Sequence, residues 1–270
     1  MKIERVTGLF FSATGNTRKV TEEITYALGD QFDAETEALG ITKPAARKRR
    51  RRFDGSDLLV IGLPTYAGKL PNKIPPDLSN ITAEGALAVC VVTFGNRAFD
   101  HSLAELVHTM TENGFTVIGG GAFACRHAFT DKLAAGRPDE EDLAAARQFA
   151  ADAAAKVLAG DFTQPLIPGD AAAPYYVPLR EDGERAVFLK ARPKLDPELC
   201  DRCGICAEVC PMGAIDRENV KSVPGICIKC QACVRRCPKK ARYFDDPDFL
   251  SHVAMLERDY TERKENAFFL

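Results

Sequence analysis

Continuous apolar runs alternate with segments of helical spacing along the first 160 residues. Five runs predict strands: residues 3–11, 57–62, 86–94 and 115–124 are apolar at nearly every position, and 32–39 is a weaker, alternating candidate. Continuous apolar strands are typical of sheets covered on both faces. Apolar positions three and four residues apart predict helices at 17–29, 100–113 and 139–159. This alternation predicts an α/β fold with a doubly wound, five-stranded parallel sheet in residues 1–160.

The rest of the chain changes character twice. Prolines recur and apolar runs are few at 161–198, which we interpret as a connector. Residues 199–245 contain eight of the ten cysteines and are interpreted as a second, smaller domain. The tail, 246–270, includes a segment at 248–260 with the spacing of an amphipathic helix.

The composition is that of an ordinary globular protein and excludes several classes. Hydrophobic residues make up 46% and charged residues 27%, which argues against disorder. The formal net charge of −2 gives no basic footprint for nucleic acid. No apolar run reaches the roughly 18 residues of a membrane span. Glu4 and Arg5 interrupt the N-terminus, so no signal peptide is recognised and we expect a cytoplasmic protein.

The eight clustered cysteines form an internal repeat with the spacing C-x2-C-x2-C-x3-C-P. The first copy is Cys200, Cys203, Cys206 and Cys210, and the second, offset by 27 residues, is Cys227, Cys230, Cys233 and Cys237. Such a loop brings three thiolates to one iron–sulfur cluster, and in two-cluster proteins the cysteine before proline binds the other cluster. We therefore predict one 4Fe-4S cluster on Cys200, Cys203, Cys206 and Cys237, and a second on Cys227, Cys230, Cys233 and Cys210.

Zinc binding, disulfide formation and a purely structural role account less well for the cysteines. Zinc sites usually use paired C-x2-C units rather than a triple followed by Cys-Pro. Disulfides need an oxidising compartment, and no secretion signal is visible. Buried structural thiols do not account for a spacing that is repeated at every cysteine.

The first predicted strand leads through Ser12-Ala13-Thr14-Gly15-Asn16-Thr17 directly into a helix. This loop offers backbone N–H groups and three hydroxyls to an anion at a helix N-terminus, where the dipole favours negative charge. Neither a nucleoside-triphosphate loop with its lysine nor G-x-G-x-x-G is present, so a monophosphate fits better than a pyrophosphate. A Ser/Thr helix cap without a ligand is the alternative.

Two further loops follow neighbouring predicted strands. They are Pro64-Thr65-Tyr66-Ala67-Gly68 and Thr93-Phe94-Gly95-Asn96-Arg97. Both lie at the carboxyl edge of the sheet, where ligands bind in doubly wound folds. Each loop combines an aromatic residue with small residues, which suits a flat ring held by stacking and backbone hydrogen bonds.

These motifs resemble two known families. Ser12-x-Thr14-Gly15-Asn16-Thr17 resembles the phosphate loop of the flavodoxins, which carry FMN, and the cysteine repeat resembles bacterial two-cluster ferredoxins. The order of the units resembles the flavodoxin–ferredoxin fusion family of electron-transfer proteins. The resemblance implies a flavodoxin-like domain at 1–160, a smaller α+β two-cluster ferredoxin domain at 199–245, and FMN with two 4Fe-4S clusters as cofactors.

The resemblance also implies roles for individual residues. The phosphate would be bound by Ser12, Thr14, Gly15, Asn16 and Thr17, and the isoalloxazine would be flanked by Pro64, Thr65, Tyr66, Ala67, Gly68, Thr93, Phe94, Gly95 and Asn96. Tyr66 and Phe94 are the candidates for stacking on the ring. The sequence departs from the family at Phe11, where flavodoxins often carry Gly, and at Thr21, where Ala is common.

The function implied by the resemblance is electron transfer between FMN, the clusters and redox protein partners, as a carrier or adaptor. One alternative is a flavin-dependent reductase, in which the clusters feed FMN and FMN reduces a small molecule. Another is an empty flavodoxin-like unit that only docks partners. An open pocket over the flavin with His127 pointing in would favour the reductase, and an exposed ring edge would favour the carrier.

Two features stay without an assigned role. The run Arg47–Arg52 is interpreted as a solvated loop, with steering of an acidic redox partner as the alternative. His127, which follows the fifth predicted strand, is interpreted as a packing or surface residue, with hydrogen bonding near the flavin or proton delivery as the alternative.

Overall fold

The computed structural model describes all 270 residues. Its strands are β1 (Arg5–Phe10), β2 (Glu35–Gly40), β3 (Arg51–Asp54), β4 (Asp57–Pro64), β5 (Ile81–Glu84), β6 (Leu87–Phe94), β7 (Thr116–Ala124), β8 (Lys194–Leu195), β9 (Arg242–Tyr243) and β10 (Ala267–Phe269). Its helices are α1 (Asn16–Phe32), α2 (Pro44–Arg47), α3 (Pro75–Leu78), α4 (Ser102–Glu112), α5 (Glu140–Leu158), α6 (Ile205–Glu208), α7 (Ala232–Arg235) and α8 (Pro247–Asp259). None of these helices has the length and apolar character needed to cross a membrane.

The main sheet has six strands in the order β10-β7-β6-β4-β1-β2. The five strands β2, β1, β4, β6 and β7 run parallel, and β10 pairs antiparallel with β7 at the edge. Numbered along the chain, the parallel strands lie in the order 2-1-3-4-5, which is that of flavodoxin-like doubly wound sheets. The predicted α/β fold is therefore confirmed, and the strand order makes it flavodoxin-like.

The central strands are buried on both faces, as their continuous apolar runs predict. Helices α1 and α5 pack on one face around Val20, Ile24 and Phe149, and α4 packs on the other face around Leu103 and Leu106. Helix α5 begins with a reciprocal capping box between Asp139 and Asp142. These layers fix the carboxyl ends of the strands, and with them the three loops that follow β1, β4 and β6.

Helix α1 approaches the sheet more closely than a side chain at position 62 would allow. A Cβ at Gly62 would lie 1.9 Å from Oγ1 of Thr21, so only glycine fits opposite this threonine. Thr21 in turn donates to the carbonyl oxygen of Thr17 at 2.8 Å, which satisfies its buried hydroxyl. The departure from the common alanine is thus accommodated by the glycine in β4.

Three parts of the first unit differ from the prediction. The sheet has a sixth strand, β10, which comes from the end of the chain rather than from residues 1–160. A second, two-stranded parallel sheet pairs β3 with β5. The arginine run is not one solvated loop, because it contains the end of α2 and the start of β3.

The cysteine-rich segment repeats its backbone as well as its sequence. Helices α6 and α7 lie 27 residues apart, and left-handed residues recur at the same offset. These pairs are Arg202 with Lys229, Gly204 with Gln231, and Gly213 with Lys240. A short antiparallel pair, β8 with β9, joins the two ends of the segment. The doubled spacing therefore corresponds to two copies of one small structural unit.

The connector and the tail both contact the flavodoxin-like unit. In the connector, the N–H of Tyr176 donates to the carbonyl oxygen of Ala67 at 2.8 Å. In the tail, the side-chain oxygen of Asn266 accepts from the N–H of Ala124 at 2.9 Å, just before β10 joins the sheet. The predicted helical tail is thus a helix, α8, followed by an extended return to the first sheet.

Candidate functional site

A large cavity of about 610 Å³ opens at the carboxyl edge of the main sheet. This volume is within the range of about 300–1,000 Å³ that is usual for small-molecule and cofactor sites. Eleven of the fourteen predicted FMN-binding residues line it: Thr14, Asn16, Thr17, Pro64, Thr65, Tyr66, Ala67, Gly68, Thr93, Phe94 and Gly95. The three that do not are Ser12, Gly15 and Asn96.

The loop between β1 and α1 has free hydrogen-bond donors. The amide N–H groups of Ala13, Thr14, Asn16 and Thr17 donate to no protein acceptor. Gly15 has a left-handed φ of 106°, which turns the chain into the helix. Unpaired amides at the start of a 17-residue helix form an anion-binding arrangement, so the loop fits a phosphate group.

The side chains of this loop are more engaged than the sequence predicts. The Ser12 hydroxyl oxygen accepts from the N–H groups of Gly15 at 3.2 Å and Arg18 at 3.1 Å. The Asn16 amide donates to the carbonyl oxygen of Arg126 at 3.0 Å, and the hydroxyls of Thr17 and Thr93 are 2.7 Å apart. The Ser12 hydroxyl therefore organises the start of the helix, as in the capping alternative, and the backbone supplies most of the free donors.

The loop after β4 is a tight turn that faces the cavity. Tyr66 and Lys69 exchange backbone hydrogen bonds of 2.8 and 3.2 Å around Ala67 and Gly68, which both have positive φ. This is the geometry of a type I′ turn. Burial raises the pKa of Tyr66 well above its ordinary range, with further contributions from Cys230 and Cys227. Tyr66 and Cys227 line the same cavity, so the turn faces the cysteine-rich segment.

The loop after β6 corrects two of the predicted roles. Phe94 contributes to the cavity wall, but its ring is 5% exposed and packs in the core against Phe99, with ring centroids 5.8 Å apart. Tyr66 is therefore the better stacking candidate. Asn96 points away from the cavity, because its amide donates to the carbonyl oxygens of Tyr260 and Glu262 at 2.7 and 2.8 Å. Asn96 thus fixes the tail.

His127 lies in the cavity wall beside Gly95. A Cβ at Gly95 would lie 2.2 Å from Cδ2 of His127, so the ring occupies the space that a side chain at 95 would need. Nδ1 of His127 accepts from the N–H of Phe129 at 3.1 Å, which places the ring proton on Nε2. Burial, followed by the charges of His252, Arg235 and Arg97, lowers the pKa of His127 to about 4. The ring is therefore a neutral donor at pH 7.

Four cysteines from both halves of the repeat line a second, smaller cavity. They are Cys210, Cys227, Cys230 and Cys233, which we call the inner cysteine set. Burial raises the pKa of Cys230, and it raises that of Cys233 to about 12. A raised pKa keeps these thiols protonated when no metal is bound, and a coordinating metal would deprotonate them. Cys210 thus lines the same cavity as the three cysteines of the second copy. The side chains as placed form no group of three that could hold a metal ion, so the crossing ligation stays a prediction.

The other four cysteines, Cys200, Cys203, Cys206 and Cys237, are called the outer cysteine set. Backbone N–H groups donate to sulfur at equivalent places in both sets: Arg202 to Cys200 and Lys229 to Cys227 at 3.4 Å, and Ala214 to Cys210 and Ala241 to Cys237 at 3.2 and 3.3 Å. Hydrogen bonds to ligand sulfur are characteristic of iron–sulfur sites. Cys203 is the only exposed member of either set.

The two cavities adjoin. Ile226, Cys227, Ile228 and Lys229 line both of them, so one cysteine of the inner set also lies in the wall of the large cavity. The outer set has no residue in either lining. The inner set therefore lies next to the predicted flavin site, and the outer set lies outside the walls of both cavities.

Arginines that the sequence analysis left unassigned join the two units. Arg47 is 3% exposed, forms an ion pair with Asp77 at 2.8 Å and donates to the carbonyl oxygen of Pro211 at 3.1 Å. Arg235 donates to the carbonyl oxygens of Ala128 at 3.0 Å and His127 at 3.1 Å. Arg47 is therefore an interface residue, which neither interpretation of the arginine run anticipated.

A difference between the two copies of the cysteine repeat could have indicated the role of Arg235. The second copy carries Arg235-Arg236 where the first carries Glu208-Val209, and it carries Arg242 where the first carries Ile215. Differences between otherwise matching copies thus mark contacts that only one copy makes. No comparable signal exists for Arg47 or Asn96, whose partners are distant in sequence.

Comparison with known families identifies the cysteine-rich segment. Residues 189–242 match the 4Fe-4S dicluster domain family. The chain joins a flavodoxin-like fold to a 4Fe-4S dicluster domain. This combination is that of a flavodoxin–ferredoxin fusion, and it supports a redox role in electron transfer. No curated protein matches the chain.

Solved structures of flavodoxins resemble the first unit. A flavodoxin from the domain Archaea has 17% identity and a TM-score of 0.41, over 57% of this chain and 99% of its own. The flavodoxin of Streptococcus pneumoniae TIGR4 has 20% identity and a TM-score of 0.41, over 56% and 99%. Flavodoxin 2 from Bacillus cereus has 20% identity and a TM-score of 0.42, over 56% and 99%. The flavodoxin-like fold of this chain rests on its own strand order.

Proposed function

We propose that this flavodoxin–ferredoxin fusion binds FMN in the large cavity and a 4Fe-4S cluster on each cysteine set, and that it transfers electrons between them. The observation that carries the proposal is the shared wall of the two cavities. Cys227, a ligand of the inner set, lines the same cavity as the three loops of the flavodoxin-like unit. Cofactors bound at these two places would be neighbours within one chain.

The residues around the cavity have distinct tasks in this proposal. The four free amides of the loop before α1 bind the phosphate. The turn at Tyr66 and the backbone of Thr93–Gly95 hold the ring, with Tyr66 stacking on it. When bound, FMN exchanges two electrons and each cluster exchanges one, so the chain can connect one-electron and two-electron partners.

Burial of the cysteines suggests the order of transfer. The inner set adjoins the flavin cavity, whereas the outer set includes the exposed Cys203. We infer that electrons pass between the flavin and the inner cluster, and between the inner and outer clusters, and that a redox protein partner docks near Cys203. Free thiolates require a reducing compartment such as the cytoplasm.

Transfer within one chain is tested by its dependence on concentration. The anaerobically prepared full chain is photoreduced to less than one electron per molecule, and redistribution between flavin and cluster absorbance is followed after the flash. Contacts such as Arg47 with Pro211 fix the two units together. We therefore expect a first-order rate constant that does not change over a tenfold range of protein concentration. A rate proportional to concentration, or the absence of bound flavin, would contradict the proposal.

A flavin-dependent reductase is the second candidate, and two histidines of the cavity favour it. His127 presents an N–H at Nε2. Nδ1 of His252 is 2.8 Å from the carbonyl oxygen of Leu179, which can only accept, so Nε2 of His252 carries a lone pair. Both rings line the cavity, and burial lowers the pKa of each. One cavity thus offers a fixed hydrogen-bond donor and a fixed acceptor to a small molecule.

The reductase and the carrier differ in how the reduced protein reacts with a small oxidant. A neutral quinone serves as the probe, with flavin reoxidation measured against quinone concentration. A site that binds the quinone gives a rate that saturates, and a His252→Gln variant raises the half-saturating concentration. A rate that rises linearly without saturation favours the carrier, because it indicates collision rather than binding.

A further inference from the structure

An arginine of the 4Fe-4S dicluster domain lies at the loop predicted to bind the flavin phosphate. Nη2 of Arg236 is 3.8 Å from the position that a Cβ at Gly15 would occupy. Gly15 is in the middle of the loop with four free amides, and Arg236 is the residue after α7 in the other unit. The guanidinium therefore crosses from one unit to the anion-binding loop of the other.

Arg235, the residue before Arg236, anchors this part of the chain to the flavodoxin-like unit. Arg235 donates to the carbonyl oxygens of His127 and Ala128, and it also pairs with Asp131. These three contacts fix the end of α7 against the segment after β7. The side chain of Arg236, in contrast, has no hydrogen-bond acceptor and no acidic partner in the protein. Arg236 is exposed to solvent, and its charge is left unpaired.

The basic residues of helix α1 itself are already engaged. Arg18 pairs with Glu22 at 2.8 Å, and Nζ of Lys19 donates to the carbonyl oxygen of Pro138 at 2.9 Å. A bound phosphate monoester carries a charge of about −1.5 to −2 near pH 7. The loop amides provide donors for such a group without a full positive charge. Arg236 is the guanidinium beside Gly15 that can provide one.

We propose that Arg236 binds the phosphate of FMN, so that the cofactor site is completed by both units of the chain. This inference rests on the proposed FMN function and deepens it. Arginine suits the role because its planar guanidinium matches phosphate oxygens and stays charged. The phosphate then connects the two units, and by linkage FMN binding stabilises the arrangement in which the inner cysteine set lies against the flavin cavity.

The test removes the guanidinium and the phosphate separately. The full chain with intact clusters is freed of flavin, and the Kd values of FMN and riboflavin are measured by equilibrium dialysis. The variants are Arg236→Gln, Arg236→Lys and the matched control Lys239→Gln, which removes an exposed charge three residues away. Iron content is measured for each protein, because Arg236 precedes the ligand Cys237.

We expect Arg236→Gln to raise the Kd of FMN about tenfold, equivalent to about 1.4 kcal/mol. The Kd of riboflavin should change less than twofold, because riboflavin has no phosphate. Arg236→Lys should recover part of the FMN affinity, and Lys239→Gln should leave both Kd values within twofold. An unchanged FMN affinity in Arg236→Gln, or an equal loss for both flavins, would overturn the role of Arg236 while leaving FMN binding in place. Failure of the unaltered chain to bind either flavin would instead refute the proposed function.

Discussion

Arg242 offers the sharpest test of how the protein sets the potential of one cluster. Its side chain is buried, and Nη2 lies 3.5 Å from Sγ of Cys206, a proposed ligand in the outer set. It also donates to the carbonyl oxygens of Pro193 and Val220, while its Nε has no acceptor. The matching position in the first copy of the repeat is Ile215, so this cation has no counterpart there. A buried positive charge favours the reduced, more negative cluster.

The magnitude follows from the sulfur contact. Two unit charges 3.5 Å apart interact by about 5 kcal/mol at an effective dielectric constant of about 20. For a one-electron couple, in which about 1.4 kcal/mol corresponds to 59 mV, this is an upper limit of about 200 mV. The added electron is spread over the whole cluster, and solvent reaches it at the exposed Cys203. We therefore predict that Arg242→Met lowers the potential of the outer cluster by roughly 50–100 mV.

Redox titration followed by electron paramagnetic resonance measures both clusters in the same sample. The potential of the inner cluster should shift less. It should still shift, because Arg242 also acts on Cys233 of the inner set, where its charge lowers the pKa against the larger, opposite effect of burial. Arg242→Lys keeps the charge and should restore most of the potential. Arg217→Met removes an exposed arginine and should leave both potentials nearly unchanged. Unaltered potentials in Arg242→Met, with full iron content, would refute the electrostatic reasoning.

Two further predictions concern the ligands and the cavity. Cys237→Ser should lose the outer cluster and Cys210→Ser the inner one, each keeping about four irons per chain by iron analysis and spin-resonance spectra; loss of the sequence neighbour's cluster instead would disprove the crossing. Burial lowers the pKa of His127 to about 4 in the folded chain, whereas the unfolded chain keeps the ordinary value of about 6.5. As the pH falls below about 6.5, the unfolded chain therefore takes up a proton at His127 first, and the free energy of unfolding decreases. The contribution of His127 to the free energy of unfolding is therefore complete above pH 6.5 and declines towards pH 4. Between pH 7.5 and pH 5.5, urea unfolding should show a fall in the free energy of unfolding that is about 1.4 kcal/mol smaller in His127→Gln than in the unaltered chain. Identical losses in both proteins would mean that His127 is not held neutral in the fold.

The parts of the fold that could be predicted are those set by local pattern. Buried strands such as β6 and the long helices α1 and α5 carry their apolar spacing in the sequence, and each was located to within a few residues. The short strand β10 has only three residues, and it exists because the edge of β7 is there to pair with. β10 therefore forms through a tertiary contact, which the local sequence pattern does not predict.

The same distinction applies to the site. The motifs of the three loops after β1, β4 and β6 were sufficient to predict eleven residues that line one cavity. The direction of a side chain was not predictable, as Asn96 demonstrates. Its backbone lies at the cavity edge, but its amide is drawn to the carbonyl oxygens of Tyr260 and Glu262. Arg47 is similar, because its partner Pro211 is 164 residues away along the chain.

The position of β10 has a consequence for the order of assembly during synthesis. This strand follows the eight clustered cysteines in the chain, yet it covers the open edge of the sheet formed by the first half. Chains emerge from the ribosome from the N-terminus at about 5–20 residues per second, so the edge of β7 stays uncovered until the cysteines have already left the exit tunnel. Closure of that edge is therefore a late step, and a chain truncated before β10 would be left with an exposed, aggregation-prone strand edge at β7.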